Sequence, residues 1–449
     1  MATTPSTATS RLRPVWLSEV PPAACGTLTQ DVATEVCIVG GGIAALTTAW
    51  LLLQSGKQVT LLLPQDLRSG PASQSSAHLS SALPMRYHQL ASLHGEPASR
   101  LIAASQVAGI ELLESISCGL HLECGFTRLN GYLMVPPGEN VQELEREYAA
   151  IRRAGLTSVR WVDSVPIPRF PSGRCLQFPD QAQFHPLRYL SQLAGRIVSA
   201  GGRIFGQTTV ATIIPGSHPV VRTACGRQVR SGAVVWADSR PLGAVLEGAP
   251  APEMDRCDHH VIAARVGVQS DAPMLLWDTG TPDHQARLAD LGGDGVSTPR
   301  QVLIVSSRHP LLGDDIPHEQ RFRMLELWAL ERFPSIERIE YRWNYQASSA
   351  SDGLVSIGRV AAGAGGVYLG SDDAGNSLTN SFVAALVNCS SILGHAQPWA
   401  AVYDPNRQGQ RVLVAHAESA PSIRPPGLPA GALKRESWSL PVPKSARQS

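Results

Sequence analysis

Residues Glu35–Asp66 read EVCIVGGGIAALTTAWLLLQSGKQVTLLLPQD. A short apolar strand runs into three glycines, then an apolar helix to about Gln54. Ser55-Gly56-Lys57 stops the helix, and Gln58–Leu63 is a near-continuous apolar strand of the kind buried in a parallel sheet. Gly40-Gly41-Gly42-Ile43-Ala44-Ala45 fits the G-x-G-x-x-G/A turn. In that turn Gly40 permits the tight bend, Gly42 lets a pyrophosphate approach the backbone, and Ala45 keeps helix and sheet close. The phosphates would sit on the helix N-terminus, where free N–H groups and the macrodipole favour anions. A bare structural turn is the other reading, because glycine-rich turns are common. The flanking strand, helix and second strand favour the dinucleotide site.

The chain of 449 residues is long for one core, which predicts two interleaved or sequential domains. A formal net charge of +1 gives no electrostatic case for a nucleic-acid or acidic-membrane partner. Eight cysteines without a CxxC pair suit reduced thiols of a cytoplasmic protein, with no metal site. The N-terminus has no apolar signal core. The most apolar window, Val36–Leu53, is broken by the glycines, so no membrane span is expected there.

Residues 1–30, carrying many Pro, Thr and Ala residues, predict an irregular arm. Apolar spacing from Leu101 to Ile116 predicts a helix, and Phe126–Pro137 alternates as a strand. Pro186 suits a first helical turn that Gly201-Gly202 stops. Short strands follow at 203–206, 208–214, 220–223 and 233–237, then His260–Val266, Gln301–Val305 and a helix Arg321–Phe333. A strand to Gly370, a glycine-containing loop and a helix from about Leu378 close the fold, and a Pro-rich tail from Ala420 predicts disorder.

With these segments in place the chain resembles the FAD-dependent amine and amino-acid oxidases of the D-amino-acid oxidase and glycine oxidase type. Within them it is most similar to bacterial members that usually carry a C-terminal Rieske domain. The resemblance spans about residues 14–410 and rests on TEVCIVGGGIAALTTAWLL, SSAHLSSAL, RYHQLASLHGEPASRL, LNGYLMVPPGEN, FPDQAQFHPLRYL, IEYRWNYQ, DGLVSIGR, NSLTNSFVAALVNCSSILG and PWAAVYDPNR. No C-x-H followed by C-x-x-H occurs, so no iron–sulfur cluster is expected. The resemblance implies an α/β fold, with a Rossmann-like FAD-binding domain and an interleaved α+β substrate domain on a mixed sheet. Residues 31–95, 175–240 and 340–410 would form the FAD domain, and 96–174 and 241–339 the substrate domain. Beyond them would lie the arm, 1–30, and the tail, 411–449.

The implied chemistry is hydride transfer to flavin from the C–N bond of a small amine or amino acid, with electrons passed to an unidentified acceptor. FAD would lie on Gly40–Ala45. Gly375, Asn376, Ser377, Leu378 and Thr379 match the family's loop over the flavin pyrimidine edge; the alternative is a plain strand–loop–helix closure. His78 falls in the segment beside the flavin ring, where it is either a flavin contact or an ordinary loop histidine. Tyr132 either faces the ligand or packs within its strand. Arg342 and Arg359 are candidates for a substrate carboxylate, or else members of ion pairs. His185 would open a helix, and Asp278 would cap a turn.

Three departures from the family stand out. Leu63 replaces the acid that binds the adenosine ribose. Pro71 enters the following loop, and Ser377 replaces the last glycine of the C-terminal loop, after Asp372-Asp373. Together they predict weakened FAD use and keep a second reading open, a non-catalytic descendant that binds a partner. A third has Arg68 meeting the 2′-phosphate of NADP.

Overall fold

The computed structural model describes residues 10–21, 25–168, 170–249, 254–267, 273–291, 300–310, 316–360, 365–370 and 377–407. Two sheets organise them. The first holds parallel strands in the order Arg203–Phe205, Val59–Leu62, Val32–Val39, Gln228–Trp236 and Val367–Leu369, with Gly358–Arg359 antiparallel at one edge. Val210–Ile214 and Val220–Thr223 extend it as an antiparallel flap beside Gln228–Trp236.

Strand Val32–Val39 has a parallel partner on each side, one reached immediately through the glycine helix and one much later in the chain. Its end is therefore a topological switch point, where open α/β sheets place their ligands. The helix after it, Ile43–Gln54, buries nine of its twelve residues because both of its sides are covered. It lies on the sheet and packs against helices Pro186–Ser199 and Ser377–Ile392. An all-round apolar sequence is what such a position requires. Thr47 meets the one polar need at the helix contact, its hydroxyl lying 3.0 Å from that of Tyr189.

The second sheet is mixed and larger. Its path runs Arg11–Leu12, Ile336–Ala350, Met254–Val266, Arg300–Pro310, Asp283–Leu291, Leu275–Asp278, Thr127–Met134, Cys175–Gln183 and His78–Leu79, with Arg160–Val162 beside Cys175–Gln183. Sheet membership shifts the expected domain edges. Cys175–Gln183 and most of Ile336–Ala350 fall within stretches assigned to the FAD domain, yet both pair in the second sheet. A strand's alternation shows that it is a strand and leaves its partner open.

The N-terminal arm is less irregular than its composition suggests. Arg11–Leu12 pairs with Tyr341 and Arg342, and Val15–Ser18 forms a 3-10 turn. Trp16 is buried, donates from Nε1 to the Ser75 carbonyl at 2.9 Å, meets His185 edge-on and lies beneath the Arg287 guanidinium. The helix Glu96–Gly119 is long and apolar enough to cross a membrane, but it is mostly buried and packs against Ser377–Ile392.

Because Trp16 joins the arm to the loop before His78, its removal should loosen the whole molecule. Trp16→Ala is expected to lower unfolding free energy by about 3–5 kcal/mol, as for other large buried aromatics. Chemical denaturation would show this as a lower midpoint at an unchanged slope. A midpoint within error of the wild type would mean that the arm is not part of the cooperative fold.

Candidate active site

The glycine turn is built as a cradle. Gly40 has φ +126°, and a Cβ there would collide with the Ala237 carbonyl, so no other residue fits without moving strand Gln228–Trp236. Gly42 is different. Its backbone is extended (φ −83°, ψ −177°), and a Cβ would meet nothing within 4 Å. Among the described residues, no packing demands glycine there. Gly42 is also the N-cap of Ile43–Gln54, and no side chain caps that helix. Uncapped N–H groups beside an open space form a ready anion site, so the residues present fit an FAD pyrophosphate.

The position where the resemblance puts the ribose-binding acid is apolar. Leu63 is buried, its Cδ2 only 3.2 Å from where a Gly41 Cβ would stand, with Leu67 Cδ2 at 3.5 Å. Its backbone is held by Phe205 and Thr208. No side-chain acceptor for a ribose hydroxyl comes from position 63. Arg68 is engaged by both the Asp66 carboxylate and the Val20 carbonyl, so the NADP reading finds its cation already paired.

A cleft open to solvent lies where the second sheet meets the segment after the glycine unit. One wall is Ser75–His78 with Ala82–Pro84 and Arg86. The other carries His259, Trp277, Asp278, Asp283, Gln285 and Tyr345. Leu378, in the first turn of Ser377–Ile392, closes one side, and this helix also packs along the glycine helix. Thr379 fixes the junction, its hydroxyl accepting from the Ser80 N–H at 3.1 Å and lying 3.3 Å from the Ser80 carbonyl. Thr379 thus has a structural partner, whereas Leu378 faces the cleft. Ser377 begins the helix, and Gly375, Asn376 and Asp372-Asp373 lie outside the described residues.

His78 lines the cleft with both nitrogens committed. The Ala286 carbonyl 3.4 Å from Nε2 can only accept, so Nε2 carries the proton and Nδ1 accepts from Ser76 Oγ at 2.9 Å. Burial, with Arg287 nearby, pushes its pKa down to about 3. It is a fixed neutral wall with no nitrogen free for acid–base work. Tyr132 does not line the cleft. It belongs to the core on the other face of its sheet, and its hydroxyl accepts from Gln177 at 2.9 Å. Arg342 is paired with Glu319 at 3.0 Å and Glu326 at 2.5 Å, and Arg359 donates to the Gly365 carbonyl. Neither arginine lines the cleft. His185 caps Pro186–Ser199 through Nδ1, as a helix-opening residue should.

Asp278 does cap its turn, accepting from Gly280 and His284 N–H groups at 3.1 and 2.8 Å, and it faces the cleft too. Its other oxygen lies 2.9 Å from His284 Nδ1. Asp283 is held by Arg308 through two contacts of 3.1 Å; burial raises its pKa and Arg308 opposes the rise. His259 stacks on Tyr345 at 4.7 Å, its direct partner across the strands, and burial pushes its pKa down to about 3. Arg86, His259, Trp277, Asp283, Gln285 and Tyr345 are absent from the candidates drawn from sequence. Strand pairing across 86 positions brings His259 to Tyr345, and no local pattern marks it.

Residues 35–388 match the DAO family, described as FAD-dependent oxidoreductase. The chain belongs to this family. It is 25% identical over 382 residues to YhfW of Bacillus subtilis (strain 168), a protein named for a Rieske 2Fe-2S centre, covering 85% of this chain and 72% of that one. It is 23% identical over 380 residues to the gamma-glutamylputrescine oxidoreductase of Escherichia coli (strain K12), covering 83% and 86%. The fold matches glycine oxidase from Geobacillus kaustophilus (TM-score 0.67, 18% identity, 84% of this chain and 99% of that one). It also matches L-proline dehydrogenase from P. horikoshii (TM-score 0.69, 14% identity, 85% and 99%). The α/β architecture with a mixed-sheet second layer is therefore that of the FAD-dependent oxidoreductases, and FAD is the family's cofactor.

The open space at Gly42 yields a separable outcome. Gly42→Val should fold with near wild-type stability, because its Cβ meets no described atom within 4 Å, yet lose FAD, because the side chain would enter the cradle. Flavin stoichiometry and thermal unfolding of the same sample would read both. Retention of flavin at wild-type stoichiometry would remove the pyrophosphate from this turn.

Proposed function

We propose that the protein oxidises the C–N bond of a small amine or amino acid, with FAD as the two-electron acceptor. The observation that carries the proposal is the pairing of an open, uncapped glycine cradle with a cleft joined to it by one helix. The names of its relatives support the substrate class, since they include an oxidoreductase of gamma-glutamylputrescine and an oxidase of glycine. Bound FAD would supply the hydride acceptor. The protein's own part would be to hold the substrate and to limit competing charge. Its two cleft histidines stay neutral near pH 7, so they do not repel a substrate amine. The two cleft carboxylates are occupied by His284 and Arg308. An amine gives up hydride from its carbon only with its nitrogen lone pair free, which a neutral wall favours over an acidic one.

Anaerobic mixing of the FAD-loaded protein with a panel of small amines and amino acids should bleach the flavin with at least one of them. A fully loaded protein whose spectrum stays unchanged across the panel would overturn the oxidation and favour the non-catalytic reading that Leu63 allows.

A further inference from the structure

The segment after strand Val59–Leu62 begins at the cradle and ends at the cleft. Leu63 and Leu67 stand against Gly41 at one end, and Ser75–His78 form a cleft wall at the other. The N-terminal arm holds this segment at two points. Arg68 donates from Nη1 to the Val20 carbonyl at 3.3 Å, and Trp16 donates from Nε1 to the Ser75 carbonyl at 2.9 Å. The arm is itself fixed to both layers. Glu19 pairs with Arg188 of helix Pro186–Ser199 at 2.9 Å, and Arg11–Leu12 pairs with strand Ile336–Ala350 of the second sheet.

The wall that the arm holds is strained. Ala77 is fully buried at φ +58°, a left-handed conformation that costs an alanine free energy and persists where its surroundings fix it. The fixing groups lie on both sides. Before Ala77, two successive carbonyls accept indole N–H groups, Gln74 from Trp343 at 2.7 Å and Ser75 from Trp16. After it, His78 pairs with Gln183 in the strand ladder. Tyr341, Trp343 and Tyr345 alternate along one strand and so share a face. Tyr341 meets Arg11 and Ser18 of the arm, Trp343 meets the wall, and Tyr345 stacks on His259 in the cleft. One strand face thus joins the arm, the wall and the far side of the cleft.

We propose that residues 11–20 are a strap whose docking is coupled to FAD binding, with Trp16 and Trp343 as positioning residues for the wall Ser75–His78. A cofactor that uses both cradle and cleft needs both ends of segment 63–78 in place together. The strap provides this by holding the segment at Arg68 and Ser75. Coupling is reciprocal, so bound FAD should also hold the strap. The inference rests on FAD at the cradle and cleft, and not on the oxidation.

Hydrogen exchange over residues 11–20 and 72–79, with and without FAD, together with FAD titration of each variant, tests the coupling. FAD should slow exchange in both stretches. Trp16→Phe keeps an aromatic ring and removes the N–H. It should speed exchange over 72–79 without FAD and weaken FAD by about threefold to tenfold, the range for one neutral hydrogen bond. Ala77→Gly accepts the left-handed backbone without strain, so in its background the Trp16→Phe loss should shrink. Phe333→Leu, in a core cluster that contains no arm residue, should leave both readouts at wild-type values. Protection by FAD that spares residues 11–20 would overturn the coupling, as would wild-type FAD affinity in Trp16→Phe. An equal loss of affinity in Phe333→Leu would reduce Trp16 to general stability and overturn its positioning role. An undiminished loss in the Ala77→Gly background would overturn the part played by strain. A protein that takes up no FAD overturns the coupling together with the cradle, whereas coupled FAD that no amine bleaches fails the oxidation alone.

Discussion

The end of strand Val32–Val39 is pinned against the Ala237 carbonyl, and only a residue without a side chain can turn there. That close approach is set by parallel pairing with Gln228–Trp236, which reaches the last residue of both strands. It forces the chain to leave at once into Ile43–Gln54, so the helix starts just past the strand's C-terminal end with no side chain capping its N–H groups. The cofactor cradle is thus a consequence of how two strands meet. Ser377–Ile392 packs on the same helix and closes one side of the cleft, so the cleft's position follows from the same constraint.

Charge then distinguishes the two ends of the site. The cradle offers N–H dipoles and one vacant Cβ position, suited to phosphate. The cleft offers neutral histidines, two carboxylates with their partners in place, and Arg86. Beside the cradle, where the resemblance puts an acid for the adenosine ribose, stands the buried Leu63. Hydrogen bonds to a charged group contribute roughly 1.5–3 kcal/mol each, about ten- to a hundredfold in affinity. Losing those from position 63 should loosen FAD without abolishing the site, since the cradle at Gly42 stays open to the pyrophosphate.

Much of this was legible in the amino-acid order. The glycine turn, the Leu101–Ile116 helix and the Pro186 helix start are local, and each carries its own signal in spacing, proline or glycine. Gly40 and Gly42 both fit the motif, but only the structure separates the glycine the fold requires from the one a ligand would require. Sheet partners were not legible: Cys175–Gln183 and Ile336–Ala350 alternate like any strand and could join either sheet. The site residues split in the same way. His78 and Leu378 sit in continuous motifs, and both line the cleft. Tyr132 alternates to the far face, and Arg342 is drawn off by two glutamates on a helix 16–23 positions earlier. Arg86 looks like an ordinary residue before a helix until strand Leu275–Asp278 brings a carbonyl to it.

The most direct measurement is titration of the purified, dialysed protein with FAD, followed by flavin fluorescence and the visible flavin bands after desalting. A cradle open at Gly42 beside an apolar ribose position predicts saturable binding of one FAD per chain, lost on extended dialysis and restored on re-addition. A protein that takes up no FAD at any concentration would contradict the account at its centre.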